Sequence, residues 1–499
     1  MALAITLGRA ECGIQAPLVT IETHLANGLP AFSIVGLAET AVKESRDRVR
    51  SAIINSGFDF PARRITVNLA PADLPKHGGR FDLPIALGIL AASGQVPPDC
   101  LEQVELAGEL SLGGQLRGVS GMLPAAVQAR SAERALILAE ANATEAALVF
   151  PDGCHAASHL LEVCAHFAGE RPLPLVPHAN RESPTVAVPD LADVRGQARA
   201  RRGLEIAAAG RHNILLAGPP GTGKSMLATR ITGILPPMAE AECLETAAVH
   251  SLSHGGFAPA KWGHRPFRAP HHSASHVALA GGGQRPRPGE ISLAHNGVLF
   301  LDELPEFSRQ SLEILREPLE SGEVTISRAA SQVVYPARFQ LIAAMNPCPC
   351  GFLGDTVEAC RCAPEQISRY RSRLSGPLLD RIDLHVEVSR LPAEELQGAR
   401  ASEPSHRIAE RVRAAYQRRM TESGKPSAEL NAAELDAACA LGPGEMQFAR
   451  GALEQMRLSA RGYHRLLRVA RTIADLSEEG RVSTESLSEA LSYRRLPMS

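Results

Sequence analysis

The residues best equipped for chemistry sit in one short run, Gly218-Pro219-Pro220-Gly221-Thr222-Gly223-Lys224-Ser225, which matches the phosphate-loop pattern G-x-x-x-x-G-K-[ST]. Glycines let the backbone approach an anion, and successive N–H groups with a helix N-terminus make a concave anion site. In such a site Lys224 reaches the β- and γ-phosphates of a nucleoside triphosphate, and the Ser225 hydroxyl ligates Mg2+. Downstream, the apolar run Gly297-Val298-Leu299-Phe300-Leu301 ends in Asp302 and Glu303. Asp302 is expected to complete the Mg2+ shell, and Glu303 to act as general base on the attacking water. Asn346 follows a second apolar run, Phe339 to Met345, and offers a carboxamide to that water or to the γ-phosphate without adding charge. Arg381, set among apolar residues in Leu378-Leu379-Asp380-Arg381-Ile382-Asp383-Leu384, is the candidate for a finger reaching a neighbour's γ-phosphate. Its plain alternative is an intrachain pair with Asp380 or Asp383. Cys348-Pro349-Cys350 and Cys360-Arg361-Cys362 put four thiols in a short window, which fits a closed, structural Zn2+ site. His272 and His276 lie four apart with no third ligand in view, a poor basis for a metal site.

These groups need elements to hold them. Ile214 to Ala217 reads as a buried strand before the loop, and Lys224 onward as a helix. Residues 1–170 alternate strand-like and helix-like segments: strands at Leu18 to Thr23, Ala31 to Val35 and Ile65 to Leu69, helices at Glu39 to Ser56 and Leu123 to Arg134. Residues 171–190 are Pro-rich and read as a stiff linker, residues 191–395 as the nucleotide-binding core, and residues 396–499 as a basic helical region. At 499 residues several domains are expected, and Lys+Arg 52 against Asp+Glu 54 leaves the chain nearly neutral, so any nucleic-acid surface is a local patch. A single Trp argues against aromatic stacking platforms for single strands. No apolar run has the length of a membrane span and no basic leader precedes an apolar stretch, so a cytoplasmic protein is expected.

The front domain resembles the α/β domain of Lon-type proteases, with informative departures. Where that family has its nucleophilic Ser, the run Pro75-Lys76-His77-Gly78-Gly79-Arg80-Phe81-Asp82 has Arg80, and the position of the catalytic Lys, just after Ser120-Gly121-Met122, is Leu123. A Ser–Lys dyad needs both groups, so a proteolytically inactive scaffold is expected. Arg80 then either contacts DNA or a neighbouring subunit, or is a solvated surface residue.

From about residue 190 to the end the chain resembles the magnesium-chelatase-like branch of AAA+ ATPases, and nearly the whole chain is similar to the ComM (YifB) competence-protein family. The resemblance rests on Gly218 to Ser225, Arg268 to Ser275, Gly289 to Glu303, Ala344 to Gly351 and Leu379 to Asp383. It implies a three-layer αβα P-loop core with a C-terminal helical lid, and a homo-hexameric ring with ATP between subunits. It also implies a helicase that drives branch migration on single-stranded or branched DNA. The family places a second sensor arginine in the stretch Ser459 to Arg471, where Arg461 is the first choice and Arg468 the second. Related helicase rings put a basic hairpin tip in the channel, and here Glu323 to Ser327 and Val333 to Ala337 flank such a tip, making Arg328 a DNA contact. The cationic loop Gly281 to Gly289, with Arg285 and Arg287, suits a pore loop touching phosphates, or else an ordinary surface loop.

The expected function is therefore an ATP-hydrolysing DNA motor. The nearest alternative is a magnesium-chelatase-type motor remodelling a protein partner. Arg80 and Leu123 oppose a Lon-type protease, and the set Lys224, Asp302, Glu303, Asn346 and Arg381 opposes a binding module with a degenerate site.

Overall fold

The computed structural model describes all residues except 1, 37–39, 73, 75, 77, 100, 179–187, 254, 284–285, 329–330, 356, 393–401, 457–458 and 495–499. Two compact units emerge. One comprises Met1–Pro184, Glu240–Trp262 and Thr325–Tyr335, the other Thr185–Ala239, Gly263–Val324 and Pro336–Ser499. The segment around the phosphate loop thus lends a helix, Glu240–Ser251, and most of a hairpin to the first unit.

The first unit is built on a seven-stranded sheet. Its order is Ala31–Val35, Arg64–Ala70, Leu18–Ala26, Ala2–Arg9, Val104–Ala107, Ala135–Ala139, Cys154–Ala157. Leu18–Ala26 alternates buried and half-buried residues, the period-2 pattern of a strand with one covered face. The cover is the helix Asp82–Ala92, every residue of which is buried. That helix is apolar all round, which a periodicity search misses because no polar face interrupts it. A buried ion pair, Arg9 Nε and Nη2 to the Glu105 carboxylate at 2.6 Å each, ties two central strands together. Arg80 is buried rather than solvated. It donates to Arg9 O (3.2 Å), Glu11 Oε2 (2.9 Å) and Ser120 O (2.6 Å), which corrects the expectation that it faces DNA, a neighbour or solvent. Leu123 is fully buried on the helix Met122–Ser131. The Pro-rich stretch is only partly a linker: Val176 N donates to Cys154 O at 2.9 Å and Ala156 N to Pro174 O at 3.3 Å, so its first half extends the sheet edge.

The second unit has a five-stranded parallel sheet in the order Phe267–Arg268, Val298–Leu301, Gln340–Met345, Ile214–Ala217, Leu384–Glu387. The phosphate-loop strand lies between two neighbours, with Ala217 opposite Met345 on one side and Glu387 on the other. Being covered on both faces, these strands read as apolar runs: Ile214–Ala217, Val298–Leu301 and Gln340–Met345 are buried throughout, the one polar residue, Gln340, donating to Ala207 O and His212 O. Helices Ser405–Ser423, Ala432–Cys439, Pro443–Gln455, Ala460–Leu476 and Thr484–Ser492 follow and share one apolar core with this sheet through Ile408, Leu466, Ile473 and Leu487. No described helix is long and apolar enough to cross a membrane.

Candidate functional site

Ligands of open parallel sheets bind at the carboxyl ends of the strands, and the sequence motifs gather there. Gly218 turns the chain off its strand so tightly that a Cβ would stand 2.1 Å from Val388 O. Gly221 (φ 77) and Gly223 (φ 88) take left-handed conformations, and a Cβ on either would meet nothing within 4 Å. An open, left-handed loop thus leads into the helix Lys224–Arg230, with free space beside Gly221 and Gly223 for a phosphate to approach. Lys224 is buried, and its Nζ donates to Gly218 O and Pro219 O at 2.8 Å and to Asn346 Oδ1 at 3.1 Å. Burial lowers its pKa to about 8, against the upward pull of Asp302 and Glu303. The Ser225 hydroxyl donates to Asp302 Oδ2 at 2.6 Å, so the two expected Mg2+ ligands sit side by side and fit that ion.

Glu303 follows the strand in a left-handed conformation (φ 52), which for a non-glycine residue is costly and turns its side chain out of the sheet. The residue that meets it is His272, whose Nδ1 lies 3.1 Å from Glu303 Oε2. The His272 ring lies 4.1 Å from that of His271. His272 therefore faces the expected base, a role that its spacing from His276 did not suggest. Its clue in the sequence was membership of the run Arg268 to Ser275, which the fold joins to Gly289 to Glu303 by a two-pronged pair: Arg268 Nε and Nη2 reach the Glu290 carboxylate at 2.6 Å each.

The four cysteines converge, with all Sγ atoms within 4.8 Å of one another, and no other group of three or more metal-ligating residues is found among the described residues. Contacts of 3.4 Å (Cys348–Cys350) and 3.6 Å (Cys348–Cys360, Cys350–Cys360) are far longer than a disulfide. They approach the edge of about 3.8 Å of a tetrahedron with Zn–S bonds of about 2.3 Å. The donors fit zinc. Gly351, next to Cys350, packs against the phosphate loop so closely that a Cβ on it would lie 2.7 Å from Pro220 Cδ.

The arginines are more dispersed. Arg381 is buried and pairs with neither Asp380 nor Asp383. Its Nη2 donates to Glu320 Oε2 at 2.5 Å and its Nη1 to Pro377 O at 2.7 Å. Arg461, exposed at the start of Ala460–Leu476, comes within 3.6 Å of the other Glu320 oxygen. Arg468 instead donates twice to Leu430 O, at 3.0 and 2.6 Å, which makes it a strut inside the C-terminal helical region. Glu320 was not singled out from the sequence, because nothing local marks a carboxylate that serves arginines 61 residues and more away. Glu323–Arg328 and Ser331–Pro336 do form a hairpin, though the side chain of Arg328 lies outside the described residues, as does Arg285. Arg287 opens the second strand of a small pair, Gly282 opposite Arg287.

Three family profiles match the chain: "Magnesium chelatase, subunit ChlI" over residues 190–396, "Subunit ChlI of Mg-chelatase" over 21–142, and "Magnesium chelatase, subunit ChlI C-terminal" over 402–494. The chain is similar to the competence protein ComM of Haemophilus influenzae, 53% identical over 99% of this chain and 98% of that protein. It is similar to YifB of Escherichia coli, 50% identical with the same coverage. A magnesium-chelatase 67 kDa subunit of Heliobacterium mobile is 27% identical over 39% of this chain and 30% of that protein.

Proposed function

We propose, since the chain belongs to the ComM (YifB) magnesium-chelatase-like family of AAA+ ATPases, that it is a cytoplasmic, ATP-driven hexameric motor that moves on single-stranded or branched DNA. Its work on this reading is branch migration during natural transformation and homologous recombination. The observation that carries the reading is the convergence of Lys224, Ser225, Asp302, Glu303 and Asn346 at the end of one parallel sheet, in a chain similar along its whole length to a competence protein.

The chemistry assigned to these residues is hydrolysis of the γ-phosphoryl group. Lys224 exchanges its loop carbonyls and Asn346 for phosphate oxygens, a charge-assisted replacement that returns its pKa upward. Ser225 and Asp302 would hold Mg2+, which would supply charge neutralisation to the triphosphate. Glu303 accepts the proton of the water that attacks phosphorus, and Asn346 orients that water. Arg381 of the adjoining subunit and Arg461 meet the charge that develops on the phosphoryl oxygens. Arg328, Arg285 and Arg287 contact DNA phosphates, which carry no sequence information and so suit a translocating motor.

ATPase activity measured with and without single-stranded and forked DNA, for wild type and Glu303→Gln, tests this. The expected outcome is DNA-stimulated turnover and strand displacement in wild type, with hydrolysis reduced about 10²- to 10⁴-fold in the variant while nucleotide still binds. DNA-independent turnover without strand displacement would overturn the DNA reading. A motor remodelling a protein partner would then stand in its place, a reading favoured by the chelatase-subunit profiles over both ends of the chain.

A further inference from the structure

Glu320 is a single carboxylate shared by two arginines that the proposed mechanism sends to nucleotide. Its Oε2 accepts from Arg381 Nη2 at 2.5 Å, and its Oε1 lies 3.6 Å from Arg461 Nη2. The partners differ in setting. The Arg381 side chain is 7% exposed and the Arg461 side chain 69% exposed. Arg381 Nε, moreover, is buried without an acceptor. A guanidinium so desolvated, with one N–H unsatisfied, is held where it is chiefly by its carboxylate. It can serve a phosphate only after that carboxylate lets go.

Glu320 also stands at a junction. It lies on the short helix Pro318–Ser321, which ends at Gly322 (φ 74), and Glu323–Arg328, the first strand of the hairpin, follows directly. Ser321 Oγ donates to Glu317 O (3.0 Å) and accepts from Glu323 N (3.2 Å), so helix end and strand start are bonded together. On the other side, Arg461 opens the lid helix Ala460–Leu476, and Arg465 one turn on donates to Asp383, two residues beyond Arg381.

We propose that Glu320 is a positioning residue, a latch that occupies Arg381 and Arg461 until γ-phosphates replace it, the neighbouring subunit's at Arg381 and its own at Arg461, and whose release is felt at the root of the hairpin. Arg381 and Arg461 present two positive charges to one carboxylate. A triphosphate brings more negative charge and more acceptor oxygens, and the exchange favours it. The latch lowers apparent nucleotide affinity by the fraction of molecules in which the arginines are free. In return, hydrolysis and hairpin movement share one carboxylate. The nucleotide half of the latch rests on the ATP site shared between subunits, whereas the hairpin half rests on the DNA-motor reading above.

The test uses the full-length chain. Binding of a fluorescent non-hydrolysable ATP analogue with Mg2+, without DNA, is compared for wild type, Glu320→Gln, Arg381→Ala and the double variant. Glu320→Gln is expected to bind about three- to tenfold tighter, and adding Glu320→Gln to Arg381→Ala to gain less than Glu320→Gln gains over wild type, since only Arg461 is then left to free. Unchanged or weaker binding by folded Glu320→Gln overturns the latch. Should that variant not fold, Glu320→Asp decides alone: it keeps the charge but withdraws it by one methylene, so binding tighter than wild type supports the latch and wild-type binding overturns it. In the ATPase assay, Glu320→Gln is expected to raise DNA-free turnover and bring the fold-stimulation by forked DNA towards one; retained stimulation overturns the hairpin link. A wild type that DNA does not stimulate sinks the motor reading, while the DNA-free binding arm still decides the latch.

Discussion

Lys224 is a buried cation folded onto its own loop, and its pKa of about 8 has a measurable consequence. Below that pH the side chain already carries the charge a triphosphate needs. Above it the free protein holds a neutral amine, and binding must recharge it. ATP binding should therefore take up close to one proton at about pH 9 and almost none below about pH 7, with affinity falling as pH rises between them. Calorimetry in buffers of different ionisation enthalpy measures the uptake, and a pH-independent proton count would contradict this account. His272 carries the second prediction at this scale. It stands 3.1 Å from Glu303, whose side chain is 52% exposed, so this contact helps to orient the carboxylate. His272→Ala should lower kcat about tenfold or more, because a base displaced by about 1 Å loses much of its effect. KM should hardly move, and His272→Asn should recover part of the rate by restoring a donor. Equal kcat in the Ala variant would remove His272 from the site.

Among the elements, the segment from Cys348 to Cys362 joins metal chemistry to nucleotide chemistry. It follows the strand that ends at Asn346, and Gly351 packs on Pro220 of the phosphate loop. Ion pairs from Arg390 to Asp355 (3.3 Å) and Glu358 (3.4 Å) pin the intervening loop beside the last core strand. Purified protein is expected to contain about one zinc per chain by elemental analysis. Cys360→Ser should lose it, lower the melting temperature by roughly 2–4 °C or more, and weaken nucleotide binding through Pro220. Full zinc in the variant, or none in wild type, would show that the thiols do not form a metal centre. The buried helix Asp82–Ala92 makes the opposite point about legibility. Its Asp82, drawn up to about 6 by burial despite its bond with Arg48, sits under a sheet whose strands were readable, while the helix was not. Alternation betrays a strand with one wet face; a helix dry on every side gives no period to read.

For the whole molecule, the proposal turns on a nucleotide shared between subunits. If Arg381 acts in trans, then wild-type protein mixed with Arg381→Ala protein should hydrolyse ATP more slowly than the two preparations sum to separately, because each variant subunit spoils its neighbour's site. Strictly additive rates would confine Arg381 to its own chain, where Glu320 already holds it. The same experiment requires assembly, so sedimentation under ATP, Mg2+ and oligonucleotide belongs beside it. The division of the chain into two units, with the hairpin residues Thr325–Tyr335 grouped with the front domain's sheet, was not readable from the sequence. Contiguous segments are what composition reports, and a unit made of three separated pieces is visible only in the folded chain.

What the amino-acid sequence made legible by itself was what short-range pattern carries. The phosphate loop, the acidic pair after its apolar strand, the strand ending at Asn346 and the paired C-x-C motifs each need only neighbouring residues to declare a chemistry. What the tertiary structure alone decided was pairing across distance: Arg80 with Glu11 and Ser120, His272 with Glu303, and Arg381 and Arg461 with Glu320. The physical reason is that an ion pair or hydrogen bond depends on separations of a few ångströms and on burial. Chain order fixes neither until the sheet has closed.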